Sequence, residues 1–457
     1  MERRTDCSNI LDYKHINWNS RTGRSTVKIC LVGYGKSNNE LLTKLLKSNH
    51  EIFVSQDKDF TKTDEIYFKK NNIQYETNHN DLLKNCDLAI VSPGIPPNSK
   101  AAKIIFENNI DYTTELEYSW QNIKKENKKA VFIGITGTDG KSTTTSLIGH
   151  ILKFADPLTF VGGNIGVPLA KASETLNYYV VEVSSFQIFW SKTFTPEISV
   201  LTNLAPDHLN WHKDLNDYYQ TKAKLLLRTL KSGGVAVVNE DAVNLLNLKD
   251  YQASERIITF SKNMIEGNYI KYKDKKIQVN NKIFELDIFK EDILASAVTT
   301  LNLGISEKII EEAINSFKPL KYRLELIKSK NGVNYYNDSK ATNVHSAYNA
   351  YKSFRGMHYI AILSGIPKNE DLTPLIEELK TYAKAVIVFG EMEKEVKKYP
   401  LNSKFIFKNN LEEVFLYLSE ICEVGDNVVF SPAGASFDKY KNYEERGEHF
   451  NLLVEKS

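Results

Sequence analysis

The stretch Gly134-Ile135-Thr136-Gly137-Thr138-Asp139-Gly140-Lys141-Ser142-Thr143-Thr144-Thr145 follows directly on the apolar run Ala130-Val131-Phe132-Ile133. A buried strand thus feeds a glycine-rich loop that opens a helix, and this order commits the surrounding chain to the strand–turn–helix repeat of an α/β layer. Glycines let such a loop turn with its N–H groups pointing inward, and the new helix presents the positive end of its dipole. No packing need explains a lysine at the mouth of the turn. The arrangement suits a nucleotide phosphate, with Lys141 reaching the terminal phosphates and the Ser142 hydroxyl open to Mg²⁺. The spacing is GTxGKS, because Ile135 stands where the first glycine of the general GxxxxGK[ST] pattern belongs.

A chain of 457 residues is too long for one ordinary core, and at roughly 150 residues per domain it predicts about three. Its 42% hydrophobic and 25% charged residues belong to the soluble globular class, and a formal charge of +2 gives no broad pull toward nucleic acid or anionic membrane. Small molecules are the expected partners. Cys7, Cys30, Cys86 and Cys422 are far apart with no CxxC pair, so they read as reduced thiols. No apolar leader region follows Met-Glu-Arg-Arg, and no apolar run approaches the roughly 18 residues of a membrane span; the expected location is cytoplasmic.

Lys28 to Val32 predicts a strand running into Gly33-Tyr34-Gly35-Lys36-Ser37-Asn38, followed by a helix with Leu41, Leu42, Leu45 and Leu46 on one face and a strand at Glu51 to Val54. Asp87 to Val91 is a further buried strand, and Ser92-Pro93-Gly94-Ile95-Pro96-Pro97 is a turn at its carboxyl end, where ligands bind in open α/β sheets. No acidic residue ends the second strand, which disfavours NAD. A charged helix, Glu115 to Lys129, leads to the phosphate loop, and strands recur at Tyr178 to Val183, Ile198 to Thr202 and Val235 to Val238. Tyr269 to Leu286 reads as short antiparallel strands, Ile293 to Leu301 as a helix and Lys318-Pro319-Leu320 as a linker. Strands at Tyr359 to Leu363, Ala385 to Phe389 and Asn427 to Phe430 form a third α/β unit. The predicted class is α/β in three domains: a Rossmann-like N-terminal domain (1–113), a central P-loop ATPase-like domain (114–318) and a C-terminal Rossmann-like domain (319–457).

Glu182, in Val180-Val181-Glu182-Val183-Ser184-Ser185-Phe186-Gln187, ends an apolar strand about forty residues after the phosphate loop, where a magnesium-binding acid is expected. The loop Thr202-Asn203-Leu204-Ala205-Pro206-Asp207-His208-Leu209-Asn210-Trp211-His212 ends the next strand, and Tyr218 and Lys222 follow on a helix. Two histidines four apart hint at zinc, yet no HExxH pattern or cysteine accompanies them.

GTDGKSTT, EVSSFQ, NLAPDHLNWH and the YxxxK spacing of Tyr218 to Lys222, in this order, resemble the Mur ligase superfamily of ATP-dependent amide-forming enzymes. The resemblance implies a carbamylated lysine at Lys222 and magnesium ligands at Ser142, Glu182, His208 and Lys222, with two ions. It implies ATP contacts at Gly137, Thr138, Asp139, Gly140, Lys141, Ser142, Thr143, Asn164, Arg323 and Asp338. Gly35, Lys36, Ser37, Asn38, Ser92, Pro93, Gly94, Asn164 and Ser184 would hold a UDP-sugar. Asn337-Asp338-Ser339-Lys340-Ala341-Thr342-Asn343 and the segment Ser431 to Gly447 resemble the family's NDSKATN and SPAxASxDxxKNxExRG segments. They narrow the match to the branch that adds D-glutamate to UDP-N-acetylmuramoyl-L-alanine, with Lys340, Thr342, Lys368, Ser436, Phe437 and Tyr443 around the amino acid. Lys141, Glu182, His208, Lys222 and Lys340 are the implied catalytic set.

Two departures stand out. Ser55 replaces the acid expected on the uracil side, and Ile288 to Leu294 has apolar residues and Asp292 where the family carries HNxxN contacts to adenine. The implied chemistry is phosphorylation of a carboxylate by ATP, then attack of an amine on the acyl phosphate, by a monomeric cytosolic enzyme with no nucleic-acid or membrane partner. The rival readings are a sister ligase or folylpolyglutamate synthetase, a regulatory P-loop NTPase, and a non-catalytic nucleotide-binding homologue.

Overall fold

The computed structural model describes residues 26–209, 211–246, 254–367 and 370–457, so Cys7 and Lys368 lie outside the described residues. The chain divides into two compact units, Met1–Gln278 with Glu291–Ile314, and Val279–Lys290 with Asn315–Ser457.

The first unit holds two parallel sheets. One has five strands, β1 Lys28–Val32, β2 Glu51–Gln56, β3 Gln74–Thr77, β4 Leu88–Val91 and β5 Asp111–Thr113, in the order β3-β2-β1-β4-β5. Strand order reverses between β1 and β4, which opens a crevice at their carboxyl ends. Both strands are apolar runs buried on both faces, as covered parallel strands must be. Helix α1, Lys36–Leu45, turns Leu41, Leu42 and Leu45 into the core beside Phe60 and Phe68.

The other sheet has six strands, β6 Val131–Thr136, β7 Thr159–Gly163, β8 Tyr178–Glu182, β9 Ile198–Leu201, β10 Val235–Asn239 and β11 Ile257–Phe260, ordered β11-β10-β9-β6-β8-β7. Strand β6 is therefore central, flanked by β8 and β9. Helix α2, Glu115–Glu126, precedes this sheet; α3 Lys141–Ala155, α4 Ser185–Trp190 and α5 Leu215–Lys231 lie between its strands in sequence.

The two sheets are bound through α2. The Glu117 carboxylate accepts from the Thr113 hydroxyl at the end of β5 (2.7 Å), from the Lys192 and Phe194 N–H groups and from the Thr193 hydroxyl. Trp190, wholly buried, donates its indole N–H to Ile95 O at 3.0 Å.

A small antiparallel sheet of β12 Ile265–Glu266, β13 Tyr269–Tyr272 and β14 Lys275–Gln278 follows, and then α6, Asp287–Asn302. Two expectations need correction here. Residues 282–285 form a 3₁₀ turn instead of a strand, because the Asn281 side chain accepts from Ile283 N–H and starts a turn that buries Phe284. The helix expected from Ile293 begins at Asp287, so the segment read for adenine contacts forms its first turns.

The second unit carries β15 Glu325–Lys330, β16 Val333–Asn337, β17 Tyr359–Ser364, β18 Ala385–Phe389, β19 Phe405–Lys408 and β20 Asn427–Ala433, ordered β15-β16-β20-β17-β18-β19. Only β15 runs antiparallel. Helix α7, Val344–Lys352, follows β16, and α8, Tyr443–Lys456, closes the chain, burying Phe450 and Val454 in the sheet's core. Among the described residues no helix is long and apolar enough to cross a membrane.

Candidate functional site

The phosphate loop runs from the end of β6 into α3. Gly140 takes φ +75°, and a Cβ there would stand 2.1 Å from Asp292 Oδ1; at Gly137 a Cβ would meet Thr202 Oγ1 at 1.9 Å. Both positions therefore require glycine. The turn is clasped from β9's end: Asn203 O accepts from Thr138 N–H, Asn203 Oδ1 from Asp139 N–H (2.9 Å), and Asp139 O from the Thr202 hydroxyl (2.6 Å). Lys141 Nζ donates to Thr138 O at 2.6 Å, at the mouth of its own loop.

Ser142, in the first turn of α3, donates to Glu182 Oε2 at 2.6 Å, and Asn164 Nδ2 donates to Oε1 at 2.8 Å. The Ser142 hydroxyl and the Glu182 carboxylate offer oxygens of the kind Mg²⁺ takes, so these two residues fit that ion. Among the described residues no three His, Cys, Asp or Glu side chains gather to hold a metal alone.

Lys222 is fully buried on α5, with Nζ 2.7 Å from Gly137 O and 4.5 Å from the centre of the Tyr218 ring. Burial, and then the neighbouring charge of Lys141, hold its amine well below the usual lysine value. A lysine so placed gives up its proton readily and can act as a nucleophile toward CO₂. His208, at φ +56°, lies against Phe186, and burial lowers its imidazole's affinity for a proton. Gly137, Thr138, Asp139, Gly140, Lys141, Ser142, Thr143, Asn164, Glu182, His208 and Lys222 thus all lie around the carboxyl ends of β6 to β9 and the turns that follow them.

In the first sheet, the turns after β1 and β4 meet: a Cβ on Gly33 would touch Ser92 Cβ at 2.9 Å, and one on Gly35 would lie 3.7 Å from Ser92 Oγ. Gly35, Lys36, Ser37 and Asn38 open α1 opposite Ser92, Pro93 and Gly94. Lys36 Nζ reaches Gly166 O (2.6 Å), in the turn that carries Asn164. Asn38 spends its amide N–H groups on Gly33 O and Ile90 O, tying the turn after β1 to strand β4. Ser184 caps α4, accepting from Gln187 N–H. At the expected uracil side, Ser55 Oγ lies 2.9 Å from both Glu76 Oε1 and His79 Nδ1, so a carboxylate does stand there, supplied by β3.

In the second unit, Asp338 is buried and accepts from the Ser431 hydroxyl (2.7 Å) and Leu324 N–H (3.2 Å); burial pushes its carboxyl up to about 7. Lys340 Nζ lies 5.4 Å from the centre of the Tyr443 ring. Ser436 is buried at the turn after β20, Phe437 is 71% exposed, and Thr342 is half-buried before α7. Lys340, Thr342, Ser436 and Phe437 thus sit on turns beyond the neighbouring strands β16 and β20, Tyr443 opens α8, and Arg323 lies just before β15.

Two residues given no part by the sequence reading shape these turns. Asp292, buried on α6, accepts from the Thr144 hydroxyl (3.0 Å) and backs onto Gly140. Arg446, wholly buried on α8, donates to Ser339 O (2.8 Å), Ser339 Oγ (3.1 Å) and Gly434 O (2.9 Å), clamping the turns after β16 and β20. The adjoining segments were visible as motifs; the bonds cross 148 and 107 residues of sequence, which no local pattern reveals.

Comparison with known proteins matches three family descriptions: the MurD N-terminal domain over residues 28–101, the Mur ligase middle domain over 135–307 and the Mur ligase, glutamate ligase domain over 322–434. The UDP-N-acetylmuramoylalanine–D-glutamate ligase of Thermotoga maritima is 34% identical over 437 residues, covering 94% of this chain and 99% of the relative. The enzyme of the same name from Thermosipho africanus is 36% identical over 440 residues, covering 94% and 98%. The crystal structure of MurF ligase from Thermotoga maritima in complex with ADP shares the fold, with a TM-score of 0.58 at 16% identity, covering 95% of this chain and 98% of that one.

Proposed function

The chain belongs to the Mur ligase family, and on that premise we propose that it joins D-glutamate to UDP-N-acetylmuramoyl-L-alanine in peptidoglycan precursor synthesis. It is an ATP-dependent ligase that forms a carbon–nitrogen bond, and its family uses ATP and Mg²⁺. The observation that carries the reading is the Ser142–Glu182 contact at the mouth of the phosphate loop, in a chain matched over 94% of its length to ligases of that name.

In this reading ATP phosphorylates the terminal carboxylate of the UDP-sugar substrate, and the amine of D-glutamate displaces phosphate from the acyl phosphate to leave an amide. Mg²⁺, held by Ser142 and Glu182 with His208 and a carbamate on Lys222, would supply positive charge to the phosphates, and we assign two ions. Lys141 swings from Thr138 O to the γ-phosphate as charge develops there, while the loop's N–H groups hold the β-phosphate in line. Lys222, its amine held below the usual lysine value, would add CO₂ and release a proton to solvent, giving a carbamate whose oxygens are anionic donors. Ser184, Asn164 and the turns at Gly35–Asn38 and Ser92–Gly94 orient the UDP-sugar; Arg323 and Asp338 contact ATP. Lys340, Thr342, Lys368, Ser436, Phe437 and Tyr443 receive the amino acid, Lys340 as the catalytic cation.

We divide the roles as 1–113 for the UDP-sugar, 114–318 for ATP and 319–457 for the amino acid, in a cytoplasmic monomer without nucleic-acid or membrane partners. The test is an amide-formation assay with UDP-N-acetylmuramoyl-L-alanine and a panel of D- and L-amino acids, reading product and phosphate together. D-Glutamate is expected to give both in equal amounts. No product with it, or phosphate release at full rate without either co-substrate, overturns the assignment.

A further inference from the structure

Behind the metal residues lies a chain of three side chains with the order of a hydrolase triad, buried at its serine and histidine and half-buried at its aspartate. Ser185 Oγ is 3.0 Å from His212 Nε2, and His212 Nδ1 is 3.1 Å from Asp217 Oδ2. A carboxylate only accepts, so Nδ1 carries the proton and Nε2 of the neutral ring accepts from the serine hydroxyl. The tautomer is thereby fixed. Yet the His212 side chain is 0% exposed and Ser185 2%, so no substrate carbonyl reaches the serine. The constellation has the contacts of a nucleophile and the burial of a brace.

Its attachments say what it braces. Ser185 opens α4, three residues beyond Glu182, and Asp217 lies in the first turn of α5, which carries Tyr218 and Lys222. His212 itself closes the turn that begins at His208, its N–H donating to His208 O at 3.0 Å. The ring fills the space between Phe186, Trp211 and Tyr218, with centroids 5.9, 4.7 and 5.2 Å away. Tyr218 Oη in turn lies 3.2 Å from Thr138 Oγ1 in the phosphate loop. One imidazole therefore joins the three segments that present Glu182, His208 and Lys222, and His208 needs that support because its backbone is held in the left-handed region.

We propose that His212, locked between Ser185 and Asp217, is a positioning residue that sets the spacing of Glu182, His208 and Lys222 and so the strength with which the site holds its metal. The inference rests on the functional reading above, and its test separates the two. Full-length Ser185→Ala, Asp217→Asn, Ser185→Ala/Asp217→Asn and His212→Ala proteins are titrated with Mn²⁺ in the presence of ADP, with free Mn²⁺ followed by electron paramagnetic resonance. Carbamate on Lys222 is read by ¹³C NMR after addition of ¹³C-bicarbonate, and kcat and KM are measured alongside. Each single variant is expected to weaken Mn²⁺ binding about 10-fold, in the range typical of residues that orient metal ligands. The double variant is expected to lose no more than His212→Ala, since both partners act through one ring. kcat falls in step and the carbamate signal weakens, while KM for D-glutamate stays within about 2-fold, as a brace confined to the metal residues requires. Mn²⁺ affinity unchanged in soluble variants overturns the proposal, and so do effects of Ser185→Ala and Asp217→Asn that simply add. Should His212→Ala fail to fold, the two milder variants and their combination decide alone. A wild type that binds Mn²⁺ and ADP but makes no amide sinks the functional reading and leaves the brace to stand or fall on the Mn²⁺ data; one that binds neither sinks both.

Discussion

At the scale of single residues, the phosphate loop leaves no room for a side chain at Gly140. Its φ of +75° costs any L-residue energy, and a methyl group would press on the Asp292 carboxylate that also accepts from Thr144. Gly140→Ala is therefore expected to lose roughly 1–3 kcal/mol of stability and to weaken ATP binding at least about 10-fold. Thermal melting and titration with a fluorescent ATP analogue measure the two effects. Asp292→Asn keeps the acceptor for Thr144 and is expected to bind ATP within about 3-fold of wild type, whereas Asp292→Leu leaves the buried Thr144 hydroxyl unsatisfied and costs about 1–3 kcal/mol.

At the scale of elements, Arg446 shows how one helix organises two turns. Its guanidinium is wholly buried on α8 without a carboxylate among its hydrogen-bond acceptors; it is held by two carbonyls and a hydroxyl, and burial lowers its pKa to about 10. A lysine reaches one or two of those acceptors but not all three in a plane. Arg446→Lys is expected to destabilise the second unit by about 2–4 kcal/mol and to raise KM for D-glutamate about 10-fold. Calorimetry and steady-state kinetics test this. The same elements show what the sequence could tell. Buried central strands such as β1, β4 and β17 are continuous apolar runs, and all three were legible. The short, half-exposed strands β3 (Gln-Tyr-Glu-Thr) and β5 (Asp-Tyr-Thr) carry no such run, because their register is set by neighbours already in place. Lys222 stood out through the family resemblance alone, whereas Lys141 and Glu182 were legible as candidates because glycine spacing and a strand-ending acid are local signals. His212, Asp292 and Arg446 were not: each acts through a partner reached only by folding, Ser185 at 27 residues, Thr144 at 148 and Ser339 at 107.

At the scale of the whole molecule, α2 ties together the two parallel sheets of the first unit, and that joint contains a carboxyl group that prefers to keep its proton. Glu115 is fully buried beside Glu117, accepting from Ala170 N–H at 2.5 Å and from the Ser119 hydroxyl at 3.2 Å. Burial raises its carboxyl from 4.5 to about 7, against the opposing pull of those two bonds and of Lys44. The folded chain thus holds a proton that the unfolded chain releases between these values. Glu115 contributes stability that is complete below about pH 4.5 and is lost as the pH rises through 7, at up to about 1.4 kcal/mol per pH unit. Glu115→Gln keeps the shape and a neutral side chain, so its stability lacks this dependence. Urea unfolding followed by tryptophan fluorescence reports on this unit, since all four tryptophans precede residue 279. The wild type is expected to lose ground to Glu115→Gln steadily as the buffer is raised from about pH 5 to about pH 7.5, with the change levelling off above that. A difference between the two proteins that stays flat over this range, or that grows in favour of the wild type, means the joint carries an ionised carboxylate throughout.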